Sequence, residues 1–121
     1  VLRYVELRLL EDAGFLPELW RCVLCRRELE PGAHRFSPEA GGVTCADCAP
    51  PRGAVLPLSV QALKVLRYLA RRELEEALRL RLEPELAQEV EGVLGAHIYH
   101  VLDREVASGA FVDHLRRLRG A

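Results

Sequence analysis

The sequence predicts a mainly α fold: a small helical domain with an inserted four-cysteine, zinc-ribbon-like module that contains a short β-hairpin. Two observations predict it. Apolar residues recur at three- and four-residue spacing through several stretches separated by Gly, Pro and Ser. The only four cysteines stand as two pairs, Cys22-Val-Leu-Cys25 and Cys45-Ala-Asp-Cys48, with nineteen residues between the pairs. With 121 residues, half of them apolar, the chain can bury one small core. It therefore reads as a single helical domain over 1–121, with the zinc-binding module over 15–52 inserted after the first helix.

Residues 2–13 have the pattern of an amphipathic helix, with Leu2, Val5, Leu9 and Leu10 as its apolar face and Gly14 as its stop. Phe15 to Trp20 lead into the first cysteine pair, and their large side chains are expected to pack the module onto the helices. Packing is also the expected role of Trp20, ahead of base stacking. Between the pairs, Phe36, the run Ser37 to Gly42, and Val43-Thr44 read as a hairpin. Pro50-Pro51-Arg52-Gly53 closes the module. Ser59 is a suitable N-cap for a helix over 60–72 whose buried stripe is Leu63, Leu66, Leu69 and Ala70. Residues 73–78 continue that helix or form a separate turn, and Leu78, Leu80 and Leu82 alternate with Arg79 and Arg81 in a brief extended pattern. Pro84 fits the first turn of a helix running to about Leu102, with Leu86, Val90, Val93, Leu94, His97, Ile98 and Val101 facing inward. Ser108 reads as the cap of a last helix carrying Phe111, Val112, Leu115 and Leu118.

The cysteine spacing carries the chemistry. Each CxxC pair turns two sulfurs toward one point, and two pairs complete a tetrahedral S₄ shell, so Cys22, Cys25, Cys45 and Cys48 are the expected ligands of one Zn²⁺. A closed four-thiolate shell has no open position, which makes the ion structural. Two disulfides would call for an oxidising compartment, and the stretch before Cys22 reads as an amphipathic helix rather than a secretory segment. An iron–sulfur centre is the chemically related alternative.

Seventeen basic and eighteen acidic side chains give a net charge of −1. A freestanding nucleic-acid binder usually has a clear basic excess, so DNA contact is expected to come from a local patch or from a domain not present in this chain. The candidate contacts are Arg79 with Arg81, Arg71 with Arg72, and Arg116, Arg117 and Arg119. Solvated helix faces are the ordinary alternative for all of them. His97 and His100 lie three apart on one helix, but no HExxH accompanies them and packing is the expected role. No catalytic grouping or phosphate-cradling glycine loop is present, so no enzyme is expected. No apolar run approaches the length that crosses a bilayer. The chain opens on Val1 and contains no methionine, which reads as the mark of a fragment.

In order, these pieces resemble the C-terminal part of the bacterial recombination mediator family RecO. The resemblance rests on residues 2–10 followed by Gly14-Phe15 and Leu19, on the two CxxC units, on Phe36-Ser37-Pro38 with Gly41-Gly42, on Leu58-Ser59, and on Tyr99-His100 ahead of Ser108 and Phe111. It covers essentially the whole chain. Arg26 stands where the family commonly has glycine, and Ala107 where a basic residue is frequent. The resemblance implies a role in recombinational DNA repair in the bacterial cytoplasm, at the nucleoid. It also implies strand annealing and recombinase loading with a RecR-like mediator and single-stranded DNA-binding protein. DNA would be met chiefly through the family's N-terminal OB-fold, which no stretch of this chain resembles. The helical part would receive the acidic, Phe-ending tail of the single-stranded DNA-binding protein. A slot between the first helix and the 84–102 helix would suit that tail, with Arg3 as the clamp for its carboxylate or, alternatively, simply paired with Glu6. An independent zinc-finger DNA-binding or transcription-associated protein is the other reading.

Overall fold

The computed structural model describes residues 2–30, 32, 34–45, 48, 55–108 and 116–119. In chain order it has α1 (Leu2–Ala13), β1 (His34–Ser37), β2 (Gly42–Thr44), β3 (Leu56–Leu58), α2 (Val60–Arg71), α3 (Leu74–Arg79) and α4 (Pro84–Ser108). The fold is mainly helical with one small antiparallel sheet, as the sequence predicts. The expected hairpin is β1–β2, in a register that sets Phe36 opposite Val43 and Ser37 opposite Gly42. Its turn closes through the Gly41 N–H to the Ser37 carbonyl at 2.9 Å, and Ser37 Oγ accepts the Ala40 N–H at 3.1 Å. Gly41 supplies the positive φ of 81° that this turn needs.

A third strand, β3, lies on the other side of β1 and gives the order β2-β1-β3. It was not evident from the sequence, since three residues with a central proline make a weak strand signal. Pro57 is tolerated because β3 is an edge strand, where a missing N–H costs no internal ladder bond.

One continuous core joins this sheet to the helices. Phe36 and Val43 from the hairpin, Leu58 from β3, Leu7 and Leu10 from α1, Leu63, Leu66 and Leu69 from α2, and Val90, Val93 and Leu94 from α4 form a single buried cluster. Helix α2 begins where expected, with Ser59 Oγ accepting the Ala62 N–H at 3.1 Å. Glu89 of α4 reaches across to accept from both the Ser59 N–H and its hydroxyl, each at 2.7 Å, which fixes the start of α2 against α4. The inward stripe of α4 holds Val90, Val93, Leu94, His97 and Val101 as expected.

Three expectations are corrected. The buried face of α1 is Leu7 and Leu10, with Tyr4 packed beside them, while Leu2, Val5 and Leu9 are exposed. Apolar residues populate two sides of this helix, and only packing against α2 selects one. Of the two alternatives for 73–78 the separate element is found, as α3, and the expected extended pattern is not: Leu78 and Arg79 belong to α3, and 80–83 are in no strand. Helix α4 runs on to Ser108 and does not end near Leu102, because residues 103–108 contain neither Gly nor Pro to stop it; the residues that Ser108 would cap lie outside the described ones. Of the last expected helix, residues 116–119 are helical and Leu118 is exposed; Phe111, Val112 and Leu115 lie outside the described residues, as do Pro50 to Gly53.

Candidate metal centre

The segment from Leu16 to Leu29 folds back on the sheet and builds the first cysteine turn. The Glu18 N–H donates to the Gly41 carbonyl at 3.0 Å, the Val43 N–H to the Glu18 carbonyl at 3.0 Å, and the Val23 N–H to the Val43 carbonyl at 2.9 Å. A side chain on Gly42 would meet the Cβ and carbonyl of Glu18 at 2.8 Å, so this close approach needs glycine. The turn itself closes through the Cys22 N–H to the Arg27 carbonyl and the Arg26 N–H to the Cys22 carbonyl, both at 2.9 Å. Arg26 adopts φ 69°, the left-handed conformation that glycine takes without strain.

The second pair begins directly after β2, so the hairpin register carries Cys45 to the first pair. The Cys45 N–H donates to Cys22 Sγ at 3.3 Å. The sulfurs of Cys22 and Cys48 are 3.6 Å apart, those of Cys25 and Cys45 3.8 Å, and those of Cys45 and Cys48 3.4 Å. All four lie within 4.8 Å of one another. A disulfide needs about 2 Å, so none is formed. A tetrahedron of sulfurs about 2.3 Å from a central Zn²⁺ has edges of about 3.8 Å, which matches these separations.

The protonation chemistry also fits a cation. Burial opposes ionisation of Cys22, but the N–H groups of Cys25, Cys45 and Leu24 outweigh it and bring the thiol down to about 6. Cys25 is lowered by the backbone and side chain of Arg27. Cys48 is pushed up to about 12, first by the Cys45 sulfur and then by that of Cys22. Cys22 and Cys25 are biased toward the thiolate and Cys48 against it, so ionising the set together requires a positive charge among them. These four cysteines can hold a metal ion.

The model of the family described as "Recombination protein O C terminal" matches residues 1–110. The chain belongs to this family. Among its relatives, a DNA repair protein RecO from Roseiflexus sp. (strain RS-1) is 41% identical over 117 residues, 97% of this chain and 41% of the relative. A DNA repair protein RecO from Symbiobacterium thermophilum is 38% identical over 121 residues, covering 98% of this chain and 48% of that protein. A third, from Dehalococcoides mccartyi strain 195, is 37% identical over 95% of this chain and 45% of its own length. The chain thus spans less than half the length of these RecO proteins. No solved structure matches it.

The other residues singled out in the sequence occupy varied places. Arg3 is half-buried on α1 and pairs with Glu6 at 3.1 Å, the plainer of its two expected roles. Arg79 is exposed at the end of α3; Arg81, just beyond it, is exposed and donates to the carbonyls of Leu78 and Leu80. Arg116 and Arg117 are exposed. His97 is buried, with Nε2 2.8 Å from the Phe15 carbonyl and its ring edge-on to Phe36 at 5.7 Å, so it packs α4 onto the sheet. His34 Nε2 lies 2.7 Å from the Glu30 carbonyl. Trp20 packs against the core, as expected.

Two surface features stand out against the RecO expectations. An apolar groove of about 280 Å³ lies between α1 and α4, lined by Glu6, Leu9, Leu10, Ala13, Ile98 and Leu102. The cations that share one cleft are Lys64, Arg67, Arg71 and Arg72. Lys64 and Arg67 were not singled out in the sequence, although their spacing with Arg71 along α2 and the absence of any acid in that helix were visible there. Among the described residues no helix is long and apolar enough to cross a membrane.

Proposed function

We propose that this chain is the zinc-stabilised interaction and scaffold domain of a recombinational DNA-repair mediator, working with a RecR-like mediator and single-stranded DNA-binding protein. Family membership carries the DNA-repair part of this reading. Zinc is the ion that four clustered thiolates with these separations suit best, and Cys22, Cys25, Cys45 and Cys48 would hold it. The domain would act by binding rather than by catalysis, since a closed thiolate shell offers no site for a reactant.

The observation that carries partner docking is the groove between α1 and α4. Its walls are almost wholly apolar, Leu9 is 62% exposed at its edge, and Leu102 is 38% exposed. A C-terminal phenylalanine would bury its ring there, and Arg3 would leave Glu6 to take the terminal carboxylate. Glu6 lines the same groove and opposes an acidic ligand.

Calorimetric titration of the zinc-loaded chain with a Phe-ending acidic peptide tests this. Deleting the terminal Phe should weaken binding by about 2 kcal/mol if the ring is buried. Glu6→Gln should tighten it, because Arg3 is released and a like charge removed. No binding, or binding indifferent to both changes, would reject the groove as the peptide site.

A further inference from the structure

The four cysteines of the metal centre are not equivalent. Cys22 is buried, whereas Cys25, Cys45 and Cys48 are partly open to solvent. Nitrogen donors hold the first pair. Cys22 Sγ accepts the Cys45 N–H at 3.3 Å and faces the N–H groups of Cys25 and Leu24, while Cys25 Sγ accepts from the backbone and side chain of Arg27. A donor that stabilises the charge on a sulfur also makes that sulfur a weaker nucleophile.

The second pair is the one placed to react. The Cys45 and Cys48 sulfurs are 3.4 Å apart, closer than Cys22 and Cys48 at 3.6 Å or Cys25 and Cys45 at 3.8 Å. Joining Cys22 to Cys48 would use the buried sulfur, and joining Cys25 to Cys45 would use the sulfur that Arg27 holds. Joining Cys45 to Cys48 uses neither, and both lie within one CxxC turn.

We propose that Cys45 and Cys48 form a peroxide-sensitive pair, whose oxidation to a disulfide releases the metal and leaves Cys22 and Cys25 reduced. The release rests on the zinc reading above. Bound zinc keeps its ligand sulfurs as thiolates, the form that reacts. One thiolate of the pair attacks a peroxide oxygen: an S–O bond forms, the O–O bond breaks and hydroxide leaves. The other thiolate attacks the resulting sulfenic sulfur, forming the S–S bond and expelling a second hydroxide. Two solvent protons convert both hydroxides to water, and two electrons have passed from the sulfur pair to the peroxide. Half of the S₄ shell is then gone, and a dithiol reductant restores it by exchange. The change reaches the core through β1, where Arg35 donates to the Cys48 carbonyl at 3.4 Å and its neighbour Phe36 is buried.

The zinc-loaded chain is treated with hydrogen peroxide beside a chromogenic zinc chelator, the remaining thiols are alkylated, and disulfides are mapped by mass spectrometry. Zinc content before peroxide tests the zinc reading, whereas release and pairing after peroxide test the proposal. In a chain that proved metal-free, the map still reads which pair closes first. About one zinc per chain should leave in step with a Cys45–Cys48 disulfide, with Cys22 and Cys25 alkylated. Dithiothreitol with added zinc should reverse both changes. Cys48→His retains a nitrogen ligand but removes the pair, and should slow release about tenfold or more. Cys25→His, the same replacement in the other turn, should change the rate by less than about threefold. A first disulfide containing Cys22 or Cys25, or release without any disulfide, would overturn the proposal. So would zinc retained while glutathione in the same tube is fully oxidised.

Discussion

Arg26 shows how a single backbone angle can be at odds with its side chain. Its φ of 69° completes the first cysteine turn, and the N–H bonded to Cys22 keeps it there, although a Cβ makes this conformation costly. Arg26→Gly should therefore stabilise the zinc-loaded protein by about 1 kcal/mol, less the entropy that glycine loses on folding. Denaturant unfolding at fixed zinc concentration measures this, and a destabilised variant would mean that the Arg26 side chain contributes a contact larger than the strain. The departure from the family's glycine was visible in the sequence. That arginine nonetheless takes the glycine conformation became visible only in the structure, since the cysteine turn around it is held by bonds to Arg27 and Cys22.

At the scale of elements, the interface between α4 and the sheet turns on His97. Its pKa is lowered, chiefly by burial and further by the charges of Arg104 and His100, against the opposing effect of the Phe15 carbonyl. The folded protein therefore keeps the ring neutral, whereas the unfolded chain takes up a proton near the ordinary value of about 6.5. Its contribution to stability is complete above that pH and is lost progressively as pH falls below it toward the folded value. Urea midpoints measured from about pH 7.5 to 5, the window that spans the unfolded-state value, should fall more steeply for the natural protein than for His97→Gln. Equal slopes would show that His97 does not titrate between the folded and unfolded states. The helical periodicity of α4 placed His97 on the inward face, so its packing role was legible. Its carbonyl partner, 82 residues away in sequence, was not.

For the whole molecule, the zinc-ribbon-like part and the helices share one core, so a metal held by the four cysteines would be energetically linked to the helical packing. Cys45→Ser should break the thiolate shell and release the hairpin, with the elemental content falling from about one zinc per chain. Helices α2 and α4 retain Leu63, Leu66 and Leu69 against Val90, Val93 and Leu94, so most of the helical circular dichroism should remain while the thermal midpoint drops. Complete loss of helicity would show that the metal organises the entire fold. Loss of Phe36 from the core is the expected reason for the lower midpoint, as removing a buried aromatic costs about 3–5 kcal/mol.

Local information in the sequence sufficed to place the helices α1 and α2, the start of α4, the hairpin, the Ser59 cap and each CxxC pair. Each of these depends on residues a few positions apart, within the reach of a helical turn, a hairpin or a CxxC bend. The tertiary structure alone decided which side of α1 faces inward, because its apolar residues occupy two sides and only contact with α2 distinguishes them. It alone brought β3 beside β1, and it alone set Arg71 over Trp20, far apart along the chain, to make one cleft. Such contacts depend on which surfaces compete for the same core, a property of the folded chain as a whole and not of any window of its sequence.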